Sequence, residues 1–281
     1  MHDRMPTPAQ YPNLQGGIAL RAGIGMSALI DVKTRQELRT VPAFDNSLVL
    51  IVEGTKEIGR ADGIVRLQAD SYLTLRAESQ VDIGNVPSSI SGRYRAIALS
   101  FAKETLQAFA KQYPRPFSRE LSENPWQGLA PHPALKESVL HAHRGMQDAC
   151  LPDEVLRHRL IEVLLQLAEH GFCWPLPGKQ TNAERVRLLL SSRPGAPWSA
   201  ADAALALGIS ESALRRRLAG EATCFRDILS DIRLSTGLLM LQTTSQSIAE
   251  IALACGYESP SRFAEKFQAR FGTLPSQLRG D

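Results

Sequence analysis

Three consecutive arginines, Arg215-Arg216-Arg217, and a second polar group of Ser261, Arg262, Glu265 and Lys266 are the residues of this chain with the most chemistry to offer. A guanidinium presents a planar fork of donors that fits phosphate oxygens and the acceptor edge of guanine. An ammonium is a point charge suited to phosphate. On a helix the three arginines fan around one turn, so that some face outward while Leu214 and Leu218 face inward. Phe263, Phe267 and Phe271 recur at i, i+4 and i+8 and mark a buried stripe, which leaves Ser261, Arg262, Glu265 and Lys266 outside. The chemistry is recognition of a polyanion rather than bond making.

The elements that must position these groups occur twice. Ser199-Ala-Ala-Asp202 is matched 48 positions later by Ser247-Ile-Ala-Glu250, and Ala204-Leu-Ala-Leu-Gly208 by Ala252-Leu-Ala-Cys-Gly256. A serine followed three residues later by an acid is a capping box that opens a helix. Ala204 and Ala206 let a neighbouring helix approach, and Gly208 and Gly256 supply the left-handed turn. Ser210 and Ser259 then cap the second helices, with Pro260 in the first helical position. Two helix-turn-helix units are therefore expected. Phe225, Ile228, Leu229, Ile232, Leu239 and Met240 line a helix between them. From Phe225 to Leu241 it would span roughly 25 Å at about 1.5 Å per residue, a spacer comparable with the roughly 34 Å repeat of successive major grooves.

Upstream the pattern differs. Leu48-Val-Leu-Ile-Val52, Ile64-Val-Arg-Leu67, Tyr72-Leu-Thr-Leu75 and Tyr94-Arg-Ala-Ile-Ala-Leu-Ser-Phe101 are short β-forming runs. They are punctuated by Gly54, Gly59, Asp62-Gly63, Gly84-Asn85 and Pro87, and predict a small barrel or sandwich over about 14–101. Helices are expected at 104–110, 134–149 and 153–170, the last marked by Val155, Leu160, Val163, Leu164 and Leu167, with a Pro-rich stretch from Pro114 through Pro116 to Pro133 between the first two. Trp126 and Trp174 flank this region as packing residues. Pro175-Leu-Pro-Gly-Lys-Gln-Thr-Asn182 reads as a linker. The expected division is 1–175, with strands to 101 and helices over 102–172, a linker at 176–182, and a helical domain at 183–281, in which Ala183, Val186, Leu189 and Leu190 line the first helix.

The 281 residues suffice for two cored domains. No apolar run is long enough for a membrane helix, and the opening Met1-His-Asp-Arg-Met-Pro6 has no secretory h-region, so a cytoplasmic protein is expected. Cys150, Cys173, Cys224 and Cys255 are scattered without metal-binding spacing and read as reduced thiols. Net charge is only +3, and residues 182–281 hold 12 Arg and Lys against 10 Asp and Glu, so placement of charge must carry the argument.

The run Ile248-Ala-Glu-Ile-Ala-Leu-Ala-Cys-Gly-Tyr257, then Glu-Ser-Pro-Ser-Arg-Phe263, Phe267 and Arg270-Phe-Gly-Thr-Leu-Pro-Ser276, is similar to the signature of the AraC/XylS family of bacterial transcription regulators. The resemblance covers about 182–280. It implies an α+β chain: an N-terminal β-barrel or cupin-like regulatory domain with dimerisation helices, then an all-α domain of seven helices carrying both helix-turn-helix motifs. It implies promoter DNA and RNA polymerase as partners, activation, homodimerisation, and control by a small-molecule effector or a regulatory protein. Carried over, the family's base-facing positions fall on Ser212, Arg215 and Arg216 in the first reader, and on Pro260, Ser261, Arg262 and Glu265 in the second, with Lys266 nearby. Arg217 reads as a solvated or phosphate-facing neighbour. Glu265 departs from the basic residue often found there; it would repel phosphate or accept from a cytosine amino group.

The rival readings are a metal-dependent cupin enzyme and a non-DNA interaction module. The strand region holds no histidine between His2 and His132, so no metal, cofactor or catalytic constellation is expected. His132, His141, His143, His158 and His170 read as surface or interhelical residues. Lys33, Lys56 and Arg21 could anchor an anionic ligand, but a solvated strand face accounts for them. The helices at 134–149 and 153–170 are the expected dimer surface, unless their apolar faces pack on the barrel.

Overall fold

A computed structural model describes residues 17–60, 63–114 and 124–279. The opening Met1–Pro6 stretch, Asp62 of the expected turn and Pro116 lie outside those residues. The chain divides into two compact units, Met1–Glu37 with Ala43–Pro175, and Leu38–Pro42 with Leu176–Asp281.

Among the described residues there are ten strands, all in the first unit except the middle of β3 (38–42): β1 (Ile18–Arg21), β2 (Gly25–Val32), β3 (Gln36–Ala43), β4 (Asn46–Glu53), β5 (Thr55–Arg60), β6 (Gly63–Leu67), β7 (Tyr72–Leu75), β8 (Ser79–Val86), β9 (Tyr94–Phe101) and β10 (Trp126–Leu129). Three helices follow the strands or interrupt them, α1 (Lys103–Gln112), α2 (Pro133–Gln147) and α3 (Asp153–Glu169). Six strands form one sheet in the order β1-β2-β9-β4-β7-β10, and four form a second, β3-β8-β5-β6. Both sheets keep their edges, so of the two forms expected, small barrel or sandwich, the unit takes the sandwich of two open sheets. Among the described residues pairing stops at β1 and β10 in one sheet and at β3 and β6 in the other.

The apolar run on β4 is explained by burial on both faces. Val49 and Ile51 pack with Ile58, Leu73, Tyr94 and Ala96 in the core between the sheets. Leu48, Leu50 and Val52 point the other way, into a larger core with Ile97, Leu99 and Phe101. A strand covered on both sides loses the alternation of a half-exposed one. The register places Leu48 opposite Leu99 and Leu50 opposite Ile97, with a bulge between Ile51 and Glu53.

The helices cover the outer face of the six-stranded sheet. Leu106 and Phe109 of α1, Leu135, Val139, Ala142 and Met146 of α2, and Leu156, Leu160, Val163, Leu164 and Leu167 of α3 share that larger core, closed off by Phe172 and Trp174. The apolar faces of α2 and α3 are thus occupied within one chain, and the reason for assigning them to a dimer interface falls away. Val155 is exposed and Leu156 takes its place in the core, while Leu160, Val163, Leu164 and Leu167 are buried as expected.

Lys56 corrects a second expectation. It is 3% exposed, on β5, and its Nζ donates to Asn85 Oδ1 at 2.7 Å. Asn85 Nδ2 donates in turn to Gln36 Oε1 at 2.9 Å, and the ammonium stands 5.7 Å from the Tyr94 ring centroid. Burial pushes its pKa down from 10.5 to about 7. Lys33 is exposed, while Arg21 pairs with Asp153 at 3.3 Å. Among the histidines, His143 is buried against Ser27 Oγ at 2.6 Å, and His132 and His170 lie with ring centroids 3.5 Å apart and planes tilted by 53°. Among the described residues no group of three or more His, Cys, Asp and Glu is placed to hold a metal ion, and no helix is long and apolar enough to cross a membrane.

The second unit carries seven helices among the described residues: α4 (Asn182–Ser191), α5 (Ala200–Ala206), α6 (Glu211–Gly220), α7 (Phe225–Thr243), α8 (Ile248–Ala254), α9 (Pro260–Phe271) and α10 (Pro275–Arg279). In α4, Ala183, Val186 and Leu190 are buried and Leu189 only partly so. Along α7 the buried set is Ile228, Ile232, Leu234, Gly237, Leu238, Leu241 and Gln242, while Phe225, Leu229, Leu239 and Met240 of the expected stripe are only partly buried.

Candidate nucleic-acid interface

Each helix-turn-helix is assembled by local bonds. Ser199 Oγ accepts from the Asp202 amide at 3.1 Å, and Asp202 Oδ2 accepts from the Ser199 amide at 3.0 Å. The same reciprocal pair joins Ser247 and Glu250, at 3.2 and 2.7 Å. Hydrogen bonds from the cap serines draw the Asp202 and Glu250 carboxyls below their ordinary pKa values. α5 and α8 then end on glycines in the left-handed region, Gly208 at φ 69° and Gly256 at φ 78°. Here a side chain would strain the backbone.

The second helices start on serine caps. Ser210 Oγ accepts from Ala213 N at 3.2 Å and Ser259 Oγ from Arg262 N at 3.3 Å. Ser210 and Ser259 are 49 positions apart, as are the buried pairs Leu214 with Phe263 and Leu218 with Phe267. The second turn is therefore one residue longer than the first. On this register Arg216 and Glu265 occupy equivalent positions, and the two readers present opposite charge at the same place.

Every residue singled out for DNA contact lies at the surface. Ser212, Arg215, Arg216 and Arg217 are exposed on α6, and Pro260, Ser261, Arg262, Glu265 and Lys266 on α9. The inward faces are sealed by Leu214 and Leu218, and by Phe263, Phe267 and Phe271, all at 1% exposure or less. Arg215 pairs with Glu211, and Arg262 with Glu258 at 2.8 Å, each one helical turn back. Exposed pairs of this kind contribute about 0–1 kcal/mol, so the guanidiniums can be exchanged onto a phosphate or base at small cost.

Two features tie the unit together that the sequence reading did not single out. Glu221, just past α6, accepts from the Asn182 amide at 2.9 Å, from Asn182 Nδ2 at 2.7 Å and from the Ala183 amide at 2.8 Å. One carboxylate thus caps the start of α4 and fastens it to the end of the first reader. Arg270 of α9 donates to Asp231 of α7 at 2.8 Å. Neither pair has a local signature, because the partners are 39 residues apart in both cases.

Comparison with known proteins accords with this geometry. Residues 203–281 match a family model described as a helix-turn-helix domain. Over 234 residues, 76% of each chain, the protein is 24% identical to the urease operon transcriptional activator of Escherichia coli. It is 39% identical over 95 residues to the ornithine utilization regulator of Pseudomonas aeruginosa, covering 34% of this chain and 28% of that one. It is 34% identical over 97 residues to the transcriptional regulator SirC of Salmonella typhimurium, covering 34% of this chain and 33% of that one. With these last two the match spans about a third of the relative's length. Among solved structures, apo ToxT from Vibrio cholerae strain SCE256 aligns with a TM-score of 0.59 at 15% identity, over 90% of this chain and 96% of that one. Unsaturated fatty acid-bound ToxT from the same strain gives 0.58 at 16% identity, over 92% and 97%. The likeness extends the fold match across both units.

Two capped helix-turn-helix units with outward-facing guanidiniums, in a chain related to operon regulators, define a DNA-binding transcription regulator. Residues 203–281 carry the helix-turn-helix domain, and over most of its length the chain is similar to a bacterial transcriptional activator.

Proposed function

We propose that the protein seats α6 and α9 in two successive major grooves on one side of a promoter duplex. The observation that carries this reading is the presence of both capped readers in one compact unit, joined by the 19-residue α7, with every expected contact residue exposed. Ser212, Arg215 and Arg216 read bases from α6, and Arg217 meets phosphate. Ser261, Arg262 and Glu265 read from α9 beside Pro260, with Lys266 towards the backbone. Because Glu265 stands where the first reader has Arg216, the first half-site favours guanine at that position and the second favours cytosine.

Activation is the favoured sign, with RNA polymerase as the protein partner; the relation to the urease operon activator supports it. The N-terminal unit supplies control by a small ligand or a partner protein. A ToxT crystal structure with bound unsaturated fatty acid supports a small ligand. The four cysteines are free thiols, which suits a protein working in the reducing cytoplasm.

The test is selection of duplexes from a random pool by the full chain, followed by footprinting and mobility shift at several salt concentrations. A bipartite site with half-sites about 10 base pairs apart, bound with steep salt dependence, is the expected result. Salt-insensitive binding, or enrichment of no sequence, would refute the reading.

A further inference from the structure

A helix between two readers does not by itself fix their spacing, because each helix-turn-helix could still pivot where it joins α7. The structure contains a second connection. The loop between α4 and α5 carries Pro194, Gly195 and Ala196, and belongs to the first half of the unit. Arg233 of α7 donates from Nε to the Pro194 carbonyl at 3.0 Å and from Nη2 to the Ala196 carbonyl at 2.9 Å. Gly195, between those carbonyls, lies directly on the turn of the second helix-turn-helix. A Cβ at Gly195 would stand 2.3 Å from the Ala254 carbonyl oxygen, and one at Gly256 would stand 2.9 Å from the Gly195 oxygen and 2.7 Å from Arg233 Nη2.

Residues 230, 233 and 237 share a face of α7 at i, i+3 and i+7 spacing. Ser230 hydrogen-bonds the Tyr257 side chain just after the second turn. Gly237 admits the Phe263 ring so closely that a Cβ there would meet it at 2.7 Å. One face of α7 therefore grips the second reader while Arg233 pins the first half's loop onto it.

We propose that Arg233, Gly195 and Gly256 form a latch that sets the distance and angle between α6 and α9, and so determines which spacing of half-sites the protein accepts. These are positioning residues acting through the two readers. The inference rests on the two-groove reading above. Adding one base pair between half-sites turns the second by about 35° around the duplex axis, a change a latched unit cannot follow and a pivoting one can.

The experiment uses the full chain and the bipartite duplex that it selects from a random pool, rebuilt with spacers from two base pairs shorter to two longer. For the wild type, a one-base-pair change costs roughly tenfold or more in affinity, about the loss of a base contact. In Arg233→Met that penalty falls below about threefold, while binding to an isolated half-site is unchanged. Arg233→Lys, which keeps one donor, lies between. Thermal unfolding checks that the variants are folded. Should Arg233→Met fail to fold, Gly195→Ala, which wedges a methyl against the Ala254 carbonyl, serves in its place and shifts or broadens the preferred spacing. If the variants keep the wild-type spacing profile, or lose affinity equally on all spacers, the latch is refuted and the two-groove reading stands. If the wild type selects no bipartite site, both fall together.

Discussion

Lys56→Met removes an amine that the fold buries between its two sheets, and the structure sets the size of the effect. Burial lowers the Lys56 pKa from 10.5 to about 7. At about 1.4 kcal/mol for each tenfold, that gap opposes folding by roughly 5 kcal/mol wherever the unfolded lysine is charged and the folded one must be charged or give up its proton. Methionine has a similar length and no charge, so the variant escapes this cost. It leaves Asn85 Oδ1 without its Lys56 donor, at about 1–3 kcal/mol for a buried acceptor. The net expectation near pH 7 is a gain of roughly 2–4 kcal/mol.

The sign with pH follows from the direction of the shift. The unfolded chain holds the Lys56 proton up to about 10.5 and the folded chain only up to about 7. Between those values the unfolded state binds more protons, so wild-type stability rises with pH and the advantage of the variant shrinks. Urea unfolding of both proteins from pH 6.5 to 9 measures it. Burial also raises the Cys173 and Cys255 thiols to about 11, but they contribute equally to both proteins and cancel in the difference. A variant less stable than wild type at pH 7, or a difference that does not change with pH, would refute the account of Lys56 as a desolvated amine.

Three further outcomes are expected. Arg216→Ala weakens binding to the selected site by about 1–3 kcal/mol and leaves random DNA nearly unaffected; equal loss on both in a mobility shift would make it a phosphate contact. Gly256→Val destabilises the second unit by at least about 2 kcal/mol, because the side chain meets Arg233 and Gly195 at a φ of 78°; unchanged thermal melting would count against it. Glu221→Gln costs about 1–2 kcal/mol by weakening the carboxylate cap on α4. Burial works against the charged Glu221, but the Ala183 and Asn182 donors outweigh it and hold the pKa below 4.5. Its contribution is therefore present above that value and lost as pH falls through the folded pKa, so an acid titration of stability should be shallower in the variant.

The sequence was most legible where partners lie within one turn of each other. Ser199 with Asp202 and Ser247 with Glu250 are three residues apart, and such a box forms wherever the chain enters a helix. Gly208 and Gly256 turn as expected because left-handed backbone is an intrinsic option of glycine. The β-branched run on β4 and the Tyr94–Phe101 segment also declare themselves. Strands β2, β3, β5 and β8 do not. Thr55–Arg60 and Ser79–Val86 carry Lys, Glu, Asp and Gly, which are poor strand formers, and they are extended because a neighbouring strand pairs with each. Trp126 sits on β10 for the same reason, against β7 about fifty residues earlier.

What the sequence alone determined is the local machinery: two capped helices, two glycine turns, and two second helices with one apolar and one polar side. Those features depend on contacts three or four residues apart, whose geometry the helix itself supplies. Tertiary structure alone decided that the sheets stay open, that α2 and α3 pack on the six-stranded sheet, that Lys56 is buried, and that Arg233 ties a loop to a turn some sixty residues further along. Each joins groups remote in sequence, so its outcome depends on register and packing across the whole unit, which no single segment encodes.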